Sequence, residues 1–478
     1  MKRSFLLLIA VCITYIAFAQ EKPSAPTVYL STIESLKTRT TPEWFGNAKF
    51  GIFIHWGLYS VPGWATPSGT PDKVTDWKHF YTNNPYAEWY LNTLRIKGSP
   101  TENYHNKKYG AGFDYYQFAK QFNAGVKSWN ADNWAKLFKA SGAKYVVLTT
   151  KHHEGFTLFP STVTHPLVKK EVINSPRDLV KELEVAARRV GLKFGVYYSG
   201  GLDWSFTVSP ITKIWPDLFE SIPKSVAYTA YADMHLYEII RRYKPDILWN
   251  DVSYPAHGDL PGIFAELFNT NPGAVVNNRW RQHDELANFT TPEYVVFDSI
   301  AKRKWESCRG IGYSFGYNRL EDEKQYLSAD QLVDMLVDIV SKNGNFLLDV
   351  GPMADGTIPP MQASRILEMG EWLRVNGEAI YDTKPWVRPG AFTADSVAVR
   401  FTQKDNSLYA VLLDMPKTPE VKLTAVTIEK TSIIRLLGYD KNLAWKQEGK
   451  ELIIQYPPGL PLKHAYTLKI TPGPMAGK

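Results

Sequence analysis

Several short apolar segments of this 478-residue chain end in ionisable and aromatic side chains. The segment KYVVLTT (144–150) is followed closely by His152, His153 and Glu154, and the segment FGIFI is followed by His55. The other segment ends of this kind carry Tyr197 and Tyr198, Trp249 and Asp251, and Asn278 and Arg279. In a parallel barrel the carboxyl ends of the strands meet at one solvent-facing mouth. We therefore expect these side chains to form one site, although any single histidine among them could be structural.

Three kinds of chemistry fit a cleft rich in histidines and acids. A metal-dependent hydrolase needs several ligands close together, and the first segment supplies only His55, so we expect no metal. A nucleophilic serine or cysteine with a histidine base is a weaker choice, since Cys308 stands in no recognisable setting. The third is a pair of carboxylates around a glycosidic bond, one ionised and one acting as proton donor. Asp251 suits the first role because it shares one face of its segment with Ile247 and Trp249.

Short apolar segments that alternate with helical patterns must position these residues. The predicted strands are residues 49–57, 144–150, 192–199, 246–251, 273–278, 294–299, 312–318 and 344–351. Most are continuously apolar, which is typical of strands covered on both faces. Eight such strands predict an α/β fold, a (β/α)8 TIM-like barrel. A doubly wound open sheet is the alternative, but no Gly-rich turn follows the first strand.

Helical patterns lie between these strands, in residues 130–142, 175–191 and 327–344. The last is the clearest, because Ser328 and Gln331 have the spacing of a capping box. Apolar residues from Leu332 to Val340 form one stripe on this helix, and Gly344 is expected to end it.

The C-terminal part of the chain has a different pattern. After about residue 385, short apolar runs such as SLYAVLLDM and ELIIQY are separated by turn residues, with no helical pattern between them. This predicts an antiparallel β-sandwich over residues 385–478, packed on a catalytic barrel over residues 20–384.

The N-terminal residues resemble a signal peptide. Lys2 and Arg3 precede an apolar run, and Ala17-Phe18-Ala19 fits a cleavage site. We expect residues 1–19 to be removed and the protein to be secreted or periplasmic, without stable membrane insertion, since the run is shorter than a spanning helix needs. The formal charge of +7 includes no basic block, so nucleic acid is not an expected partner.

A set of motifs resembles one known family. The segments WFGNAKFGIFIHWGLYSVPGWA, AEWY, KYVVLTTKHHEGF, FGVYYSGGLDW, KPDILWND, NNRW, RGIGYSFGYN and KNGNFLLDVGPMADGTIP are similar, in order and spacing, to those of family 29 glycoside hydrolases, the retaining α-L-fucosidases. The resemblance extends over about residues 40–380. It implies a catalytic barrel followed by a β-sandwich, no cofactor, and cleavage of fucosylated oligosaccharides or glycoconjugates through a covalent fucosyl-enzyme.

The resemblance also implies roles for single residues. The nucleophile of the family falls on Asp251. The residues that fall on fucose-binding positions are His55, Glu88, Trp89, His152, His153, Tyr197 and Arg279, and we expect Trp249 to contact the substrate as well.

The proton donor is harder to assign, because its place varies within the family. Glu293, beyond the NNRW segment, matches one family pattern. Glu306 is the second candidate and Glu285 the third, and each of the three could instead be a salt-bridging acid of a loop. A sugar-binding protein that has lost catalysis is the non-enzymatic alternative. The sequence indicates neither the linkage preference, which depends on insertions such as residues 66–84 and 97–113, nor the oligomeric state.

Overall fold

A computed structural model describes residues 28–213, 217–424, 426–460 and 463–474. The predicted signal peptide, residues 1–19, lies outside these described residues. None of the helices within them is long and apolar enough to cross a membrane.

Parallel strands in the described part of the chain form one curled sheet. They are β1 (Phe50–Ile54), β2 (Tyr145–Lys151), β3 (Lys193–Tyr198), β4 (Ile247–Asn250), β5 (Val275–Val276), β6 (Trp305–Gly310) and β7 (Gly344–Val350). Their order is β5-β4-β3-β2-β1-β7-β6. Strands β1, β2, β4 and β7 are buried along their whole length, which confirms that the sheet is covered on both faces.

Residues 289–293, called the closing segment below, join the two edges of this sheet. They form no regular strand, but isolated parallel bridges pair Asn277 with Phe289, Thr290 with Trp305, and Glu293 with Cys308. The sheet is thereby closed into a TIM-like barrel in which the closing segment occupies the eighth position.

Two of the predicted strands are wrong. Residues 294–299 and 312–318 form no strand, and Trp305–Gly310 forms one instead. This strand, WESCRG, lacks an apolar run because it contains Glu306, which is buried inside the barrel and accepts hydrogen bonds from the hydroxyl of Tyr145 and the indole of Trp249. Hydrophobic pattern cannot identify a strand whose buried residue is a satisfied carboxyl group.

The helices of the described residues surround the barrel and include several short ones in loops. They are α1 (Ile33–Lys37), α2 (Glu43–Ala48), α3 (Trp77–Thr82), α4 (Tyr90–Leu94), α5 (Pro100–Tyr109), α6 (Phe118–Gly125), α7 (Ala131–Ala140), α8 (Lys170–Ile173), α9 (Leu179–Arg189), α10 (Asp217–Glu220), α11 (Val226–Tyr243), α12 (Leu260–Thr270), α13 (Ala329–Ser341) and α14 (Pro360–Asn376). Single-turn 3-10 helices span Leu58–Ser60, Pro71–Lys73, Ala87–Trp89, Tyr115–Gln117, Val126–Ser128, Asp284–Leu286 and Gly377–Ala379.

The three predicted helices correspond to α7, α9 and α13. The capping box of Ser328 and Gln331 is present, so that prediction is confirmed. The predicted end of α13 is wrong: the helix ends at Ser341, Asn343 adopts the left-handed conformation with φ 73°, and Gly344 already begins β7.

Antiparallel strands form the C-terminal part. They are β8 (Lys384–Phe392), β9 (Ala398–Lys404), β10 (Ser407–Leu412), β11 (Glu420–Leu423), β12 (Ile433–Leu436), β13 (Asn442–Leu443), β14 (Trp445–Glu448), β15 (Glu451–Gln455) and β16 (Tyr466–Thr471). One sheet has the order β13-β12-β16-β10-β9-β8 and the other β11-β15-β14. Their apolar faces share one core, as expected for a β-sandwich. The boundary at residues 384 and 385 stays a prediction.

The sandwich packs on the barrel. The indole of Trp372 on α14 donates to the carbonyl of Ala465 at 2.8 Å, and Tyr409 and Val411 of β10 belong to the barrel core. Arg400 of β9 pairs with Asp338 of α13. The sandwich therefore supports the barrel wall around α13 and α14.

Candidate active site

A cavity of about 690 Å³ opens at the carboxyl ends of the barrel strands. The ten residues predicted for the site all line it, namely Asp251, Glu293, His55, Glu88, Trp89, His152, His153, Tyr197, Trp249 and Arg279. Cavities of roughly 300–1,000 Å³ hold small organic ligands, so this one has room for a sugar.

Asp251 follows the last residue of β4 and is held by hydrogen bonds on both carboxylate oxygens. Oδ2 accepts from the hydroxyl of Tyr197 at 2.9 Å, and Oδ1 accepts from Nη1 of Arg279 at 2.9 Å and from the backbone N–H of Val252 at 2.8 Å. Nε2 of His153 lies 3.8 Å from Oδ2. Val252 itself has φ 62°, a conformation that β-branched residues rarely adopt. The turn that places the carboxylate therefore carries backbone strain, as functional sites often do.

Arg279 connects the two carboxylates. Its Nη1 lies 2.9 Å from Asp251 Oδ1 and 3.1 Å from Glu293 Oε2, while Nε and Nη2 donate to the side chain and carbonyl of Thr291 in the closing segment. Because both oxygens contact the same nitrogen, they are at most about 6 Å apart, which fits the ~5–5.5 Å of retaining glycosidases better than the ~6.5–9.5 Å of inverting ones. Glu293 Oε1 also accepts from the hydroxyl of Tyr86 at 2.9 Å.

His55 is paired with an acid that the sequence analysis did not select. Its Nδ1 lies 2.6 Å from Oδ1 of Asp349, at the end of β7. Burial lowers the pKa of His55, and burial raises the pKa of Asp349 well above its usual range. Both charged forms are therefore disfavoured, and the pair holds His55 in one orientation with Nε2 left for a ligand.

His153 has a defined tautomer. The hydroxyl of Ser199 donates to the carbonyl of Leu202, so at its 2.6 Å contact with His153 Nδ1 it can only accept. Nδ1 of His153 therefore carries the proton, and Nε2 faces Asp251 as an acceptor. Burial lowers the pKa of His153, which keeps the ring neutral.

His152 lies between the other cavity rings. It stacks on Tyr197 with ring centres 5.6 Å apart, and its Nδ1 lies 3.5 Å from Oε2 of the buried Glu154. Glu154 thus stands behind His152, on the side away from the cavity lining.

Glu88 and Trp89 lie on the single-turn helix Ala87–Trp89. Glu88 Oε2 accepts from the N–H of Gly316 at 2.7 Å and from the hydroxyl of Ser314 at 3.3 Å, and burial raises the pKa of Glu88 to about 7. The Trp89 ring packs edge-on against His153, with centres 5.4 Å apart. This loop thus supplies one acid and one flat apolar wall.

The structure separates the three proton-donor candidates. Glu293 lines the cavity, whereas Glu306 is fully buried beneath it and Glu285 lies exposed on the single-turn helix Asp284–Leu286 beside Lys37. Burial raises the pKa of Glu306 to about 7. Of the three, Glu293 is the one that a cavity ligand can touch.

Sequence reasoning missed several cavity residues and partners. Asp349 could have been found, because it stands at the end of a predicted strand like the other candidates. Tyr86, Trp77 and Tyr81 lie in or beside short loop helices, and no pattern in the sequence indicated that these helices cover the barrel mouth. Phe315 lines the cavity from a segment that was predicted to be a strand.

The described residues contain no group of three or more histidine, cysteine or acidic side chains arranged to hold a metal ion. The cavity instead presents aromatic and imidazole rings, hydrogen-bonding acids and the half-buried guanidinium of Arg279.

Comparisons with known proteins find one family over both parts of the chain. The family model for α-L-fucosidase matches residues 16–378, and the model for the α-L-fucosidase C-terminal domain matches residues 394–471. The chain is 34% identical to rat tissue α-L-fucosidase over 471 residues, covering 95% of each chain, and 34% identical to an α-L-fucosidase of Branchiostoma floridae over 459 residues, covering 92% of this chain and 95% of the relative.

Solved structures show the same fold. The structure of Thermotoga maritima α-fucosidase in complex with fucose has a TM-score of 0.83 and 44% sequence identity, covering 93% of this chain and all of that one. The same enzyme in complex with a mechanism-based inhibitor has a TM-score of 0.84 at the same identity and coverage. With both parts of its fold matched by family models, and with a pair of carboxylates at the barrel mouth, the chain belongs to the α-L-fucosidase family.

Proposed function

We propose that the protein is an exo-acting α-L-fucosidase that releases terminal α-L-fucosyl residues from oligosaccharides or glycoconjugates with retained configuration. The observation that carries this proposal is the contact of one atom, Arg279 Nη1, with both Asp251 and Glu293. Because one oxygen of each carboxyl group contacts that atom, the two oxygens are at most about 6 Å apart, which suits a covalent, two-step mechanism.

In the first step Asp251 acts as nucleophile and Glu293 as general acid. A carboxylate oxygen of Asp251 bonds to the anomeric carbon as the glycosidic carbon–oxygen bond breaks, and the proton of Glu293 passes to the departing oxygen. Tyr197 and the N–H of Val252 orient the Asp251 carboxylate for this attack.

In the second step the fucosyl-enzyme is hydrolysed. Glu293, now a carboxylate, removes a proton from water, the water oxygen bonds to the anomeric carbon, and the ester bond to Asp251 breaks. Two inversions return the sugar to its original anomeric configuration.

The remaining cavity residues suit a fucose ring. Neutral His55 and His153, together with His152 and Glu88, provide hydrogen-bonding groups for hydroxyls. The aromatic side chains of Trp249, Phe53 and Phe315 provide an apolar wall for the C6 methyl group.

Substitution of Asp251 tests the nucleophile. Asp251→Gly should lose roughly 10³-fold or more in turnover of an aryl fucoside, since no covalent intermediate can form. The control is Asp298→Ala, which changes an exposed acid outside the cavity and should behave as wild type. Near wild-type turnover by a folded Asp251→Gly variant would contradict the assignment. Fucose binding without any turnover by the wild type would favour the sugar-binding alternative.

Azide rescue tests the proton donor. Glu293→Ala should keep much of its first-step rate on an activated aryl fucoside, fail on natural oligosaccharides, and be rescued by azide with formation of α-L-fucosyl azide. Glu306→Ala should show neither rescue nor azide product. If the two variants exchange these behaviours, Glu306 is the donor and the rest of the mechanism stands.

We also propose that the protein is exported as a secreted or periplasmic enzyme. The support is the sequence of residues 1–20, with its basic start, apolar run and small-residue cleavage site. N-terminal sequencing of protein recovered from its producing cells should begin near Gln20, and recovery of an intact Met1 terminus would contradict export.

A further inference from the structure

The cavity extends beyond the space that one fucose ring fills. Its inner part holds the two carboxylates and the histidines, while its outer part is lined by side chains that the proposed mechanism does not use. These are Pro71, Trp77, Tyr81, Leu218, Phe219 and Arg281. Helix α3, inside the insertion of residues 66–84, contributes Trp77 and Tyr81.

Tyr81 joins the inner and outer parts. Its ring centre lies 5.5 Å from that of Trp89 at the inner wall and 6.2 Å from that of Trp77 at the rim. Phe80 of the same helix has its ring centre 6.0 Å from that of Tyr86, whose hydroxyl donates to Glu293 Oε1 at 2.9 Å. The aromatic wall of α3 therefore stands on the Glu293 side of the cavity, where the proton donor meets the departing oxygen.

Trp77 is suited to hold a sugar at this position. It is half-buried, with Phe80 edge-on against it at 5.5 Å, so its ring is fixed by the helix while part of it faces the cavity. A flat indole stacks on the C–H face of a pyranose ring and leaves the hydroxyl groups of that ring to solvent. The outer part also includes Phe219, which lies under the guanidinium of Arg281 at 3.7 Å.

We propose that α3 forms the binding site for the leaving group, and that this group is a pyranose sugar unit stacked on Trp77. The proposal rests on the proposed function, because it assigns the second half of the same cavity. Trp77 would then determine specificity, because it favours substrates whose leaving group is a sugar over fucosides whose leaving group is small.

The test compares Trp77→Ala with wild type on two substrates. α-L-Fucosyl fluoride has no leaving sugar, so its kcat/KM should stay within about twofold of wild type. The fucosyl disaccharide that wild type cleaves fastest should lose about 10-fold in kcat/KM, the size expected for one stacking contact. Trp77→Phe should recover most of this loss. Trp445→Ala, which removes another half-buried tryptophan far along the chain on β14, should change neither value.

A second measurement follows the fucosyl-enzyme after it forms from the fluoride. With an added pyranose acceptor, wild type should divide the intermediate between water and the acceptor, and Trp77→Ala should shift this division towards water without changing fluoride consumption. Equal losses on both substrates, or no loss on either, would overturn the proposal. Failure of wild type to hydrolyse the fluoride would instead overturn the proposed function.

Discussion

The buried carboxyl group of Glu306 should make the stability of the fold depend on pH, and Glu306→Gln should remove the contribution of this group to that dependence. Burial raises the pKa of Glu306 from 4.5 to about 7, so the folded state binds this proton more tightly than the unfolded state does. The free energy of unfolding therefore falls as the pH rises from about 4.5 to about 7. Since one pKa unit corresponds to ~1.4 kcal/mol, the loss amounts to roughly 3 kcal/mol.

Glutamine fits the same hydrogen bonds as the protonated acid. Its carbonyl oxygen can accept from the indole of Trp249, and its amide can donate to the hydroxyl of Tyr145, which can rotate to accept. We expect the variant to be within about 1 kcal/mol of wild type near pH 4.5. At pH 8 it should be more stable than wild type by roughly 3 kcal/mol.

Urea unfolding of both proteins at pH 4.5, 6 and 8 measures this difference directly. Glu285→Gln, the same change on an exposed glutamate, is the matched control and should track wild type at every pH. Glu306→Gln should also keep its turnover of fucosides, because its side chain does not reach the cavity. A stability difference that stays constant with pH would refute the reasoning about burial.

Three further outcomes follow from the structure. Prolonged treatment with a chelator should leave the rate unchanged, and a loss that zinc restores would support a metal-dependent hydrolase instead. Gly51→Ala should destabilise the fold by about 1–3 kcal/mol in urea unfolding, because the added Cβ would overlap the Tyr145 ring. Gly46→Ala on α2 adds a Cβ that meets no neighbouring atom, so it should stabilise the fold by about 0.5–1 kcal/mol. Equal effects of the two substitutions on the free energy of unfolding would contradict this reasoning. Iodoacetamide at pH 8 should leave the folded enzyme active, because burial raises the pKa of Cys308 well above its usual value. Rapid inactivation with labelling of Cys308 would show instead that this thiol is accessible.

Much of the barrel and of its site could be predicted from the sequence, for one physical reason. A strand such as β4 is short, apolar and covered on both faces, so its composition identifies it, and the polar residue that follows it, Asp251, must lie at the barrel mouth. The same reasoning placed His55, His152, His153 and Tyr197 in one cavity, as the structure does. The family resemblance added Glu88, Trp89 and Glu293, which no strand pattern could have selected.

The remainder depends on contacts between distant segments. Strand β6 is stabilised by hydrogen bonds to Glu306 from two other strands, so its own sequence does not show that it is buried. The cavity rim is built from short helices, and Trp77 has no periodic pattern around it that would show which side of α3 faces the barrel. Local sequence patterns carry no information of this kind.

The closing segment has a consequence for how such an enzyme can change over evolution. Asp251 follows β4, a strand that is paired on both sides, with β3 and with β5. An insertion or deletion in this strand would therefore shift all of its backbone hydrogen bonds and move the nucleophile out of the barrel mouth. Glu293 belongs to a segment held by isolated bridges, and residues can be gained or lost around it without shifting any ladder. This difference in pairing gives a physical reason for the variable place of the proton donor that the family resemblance implies.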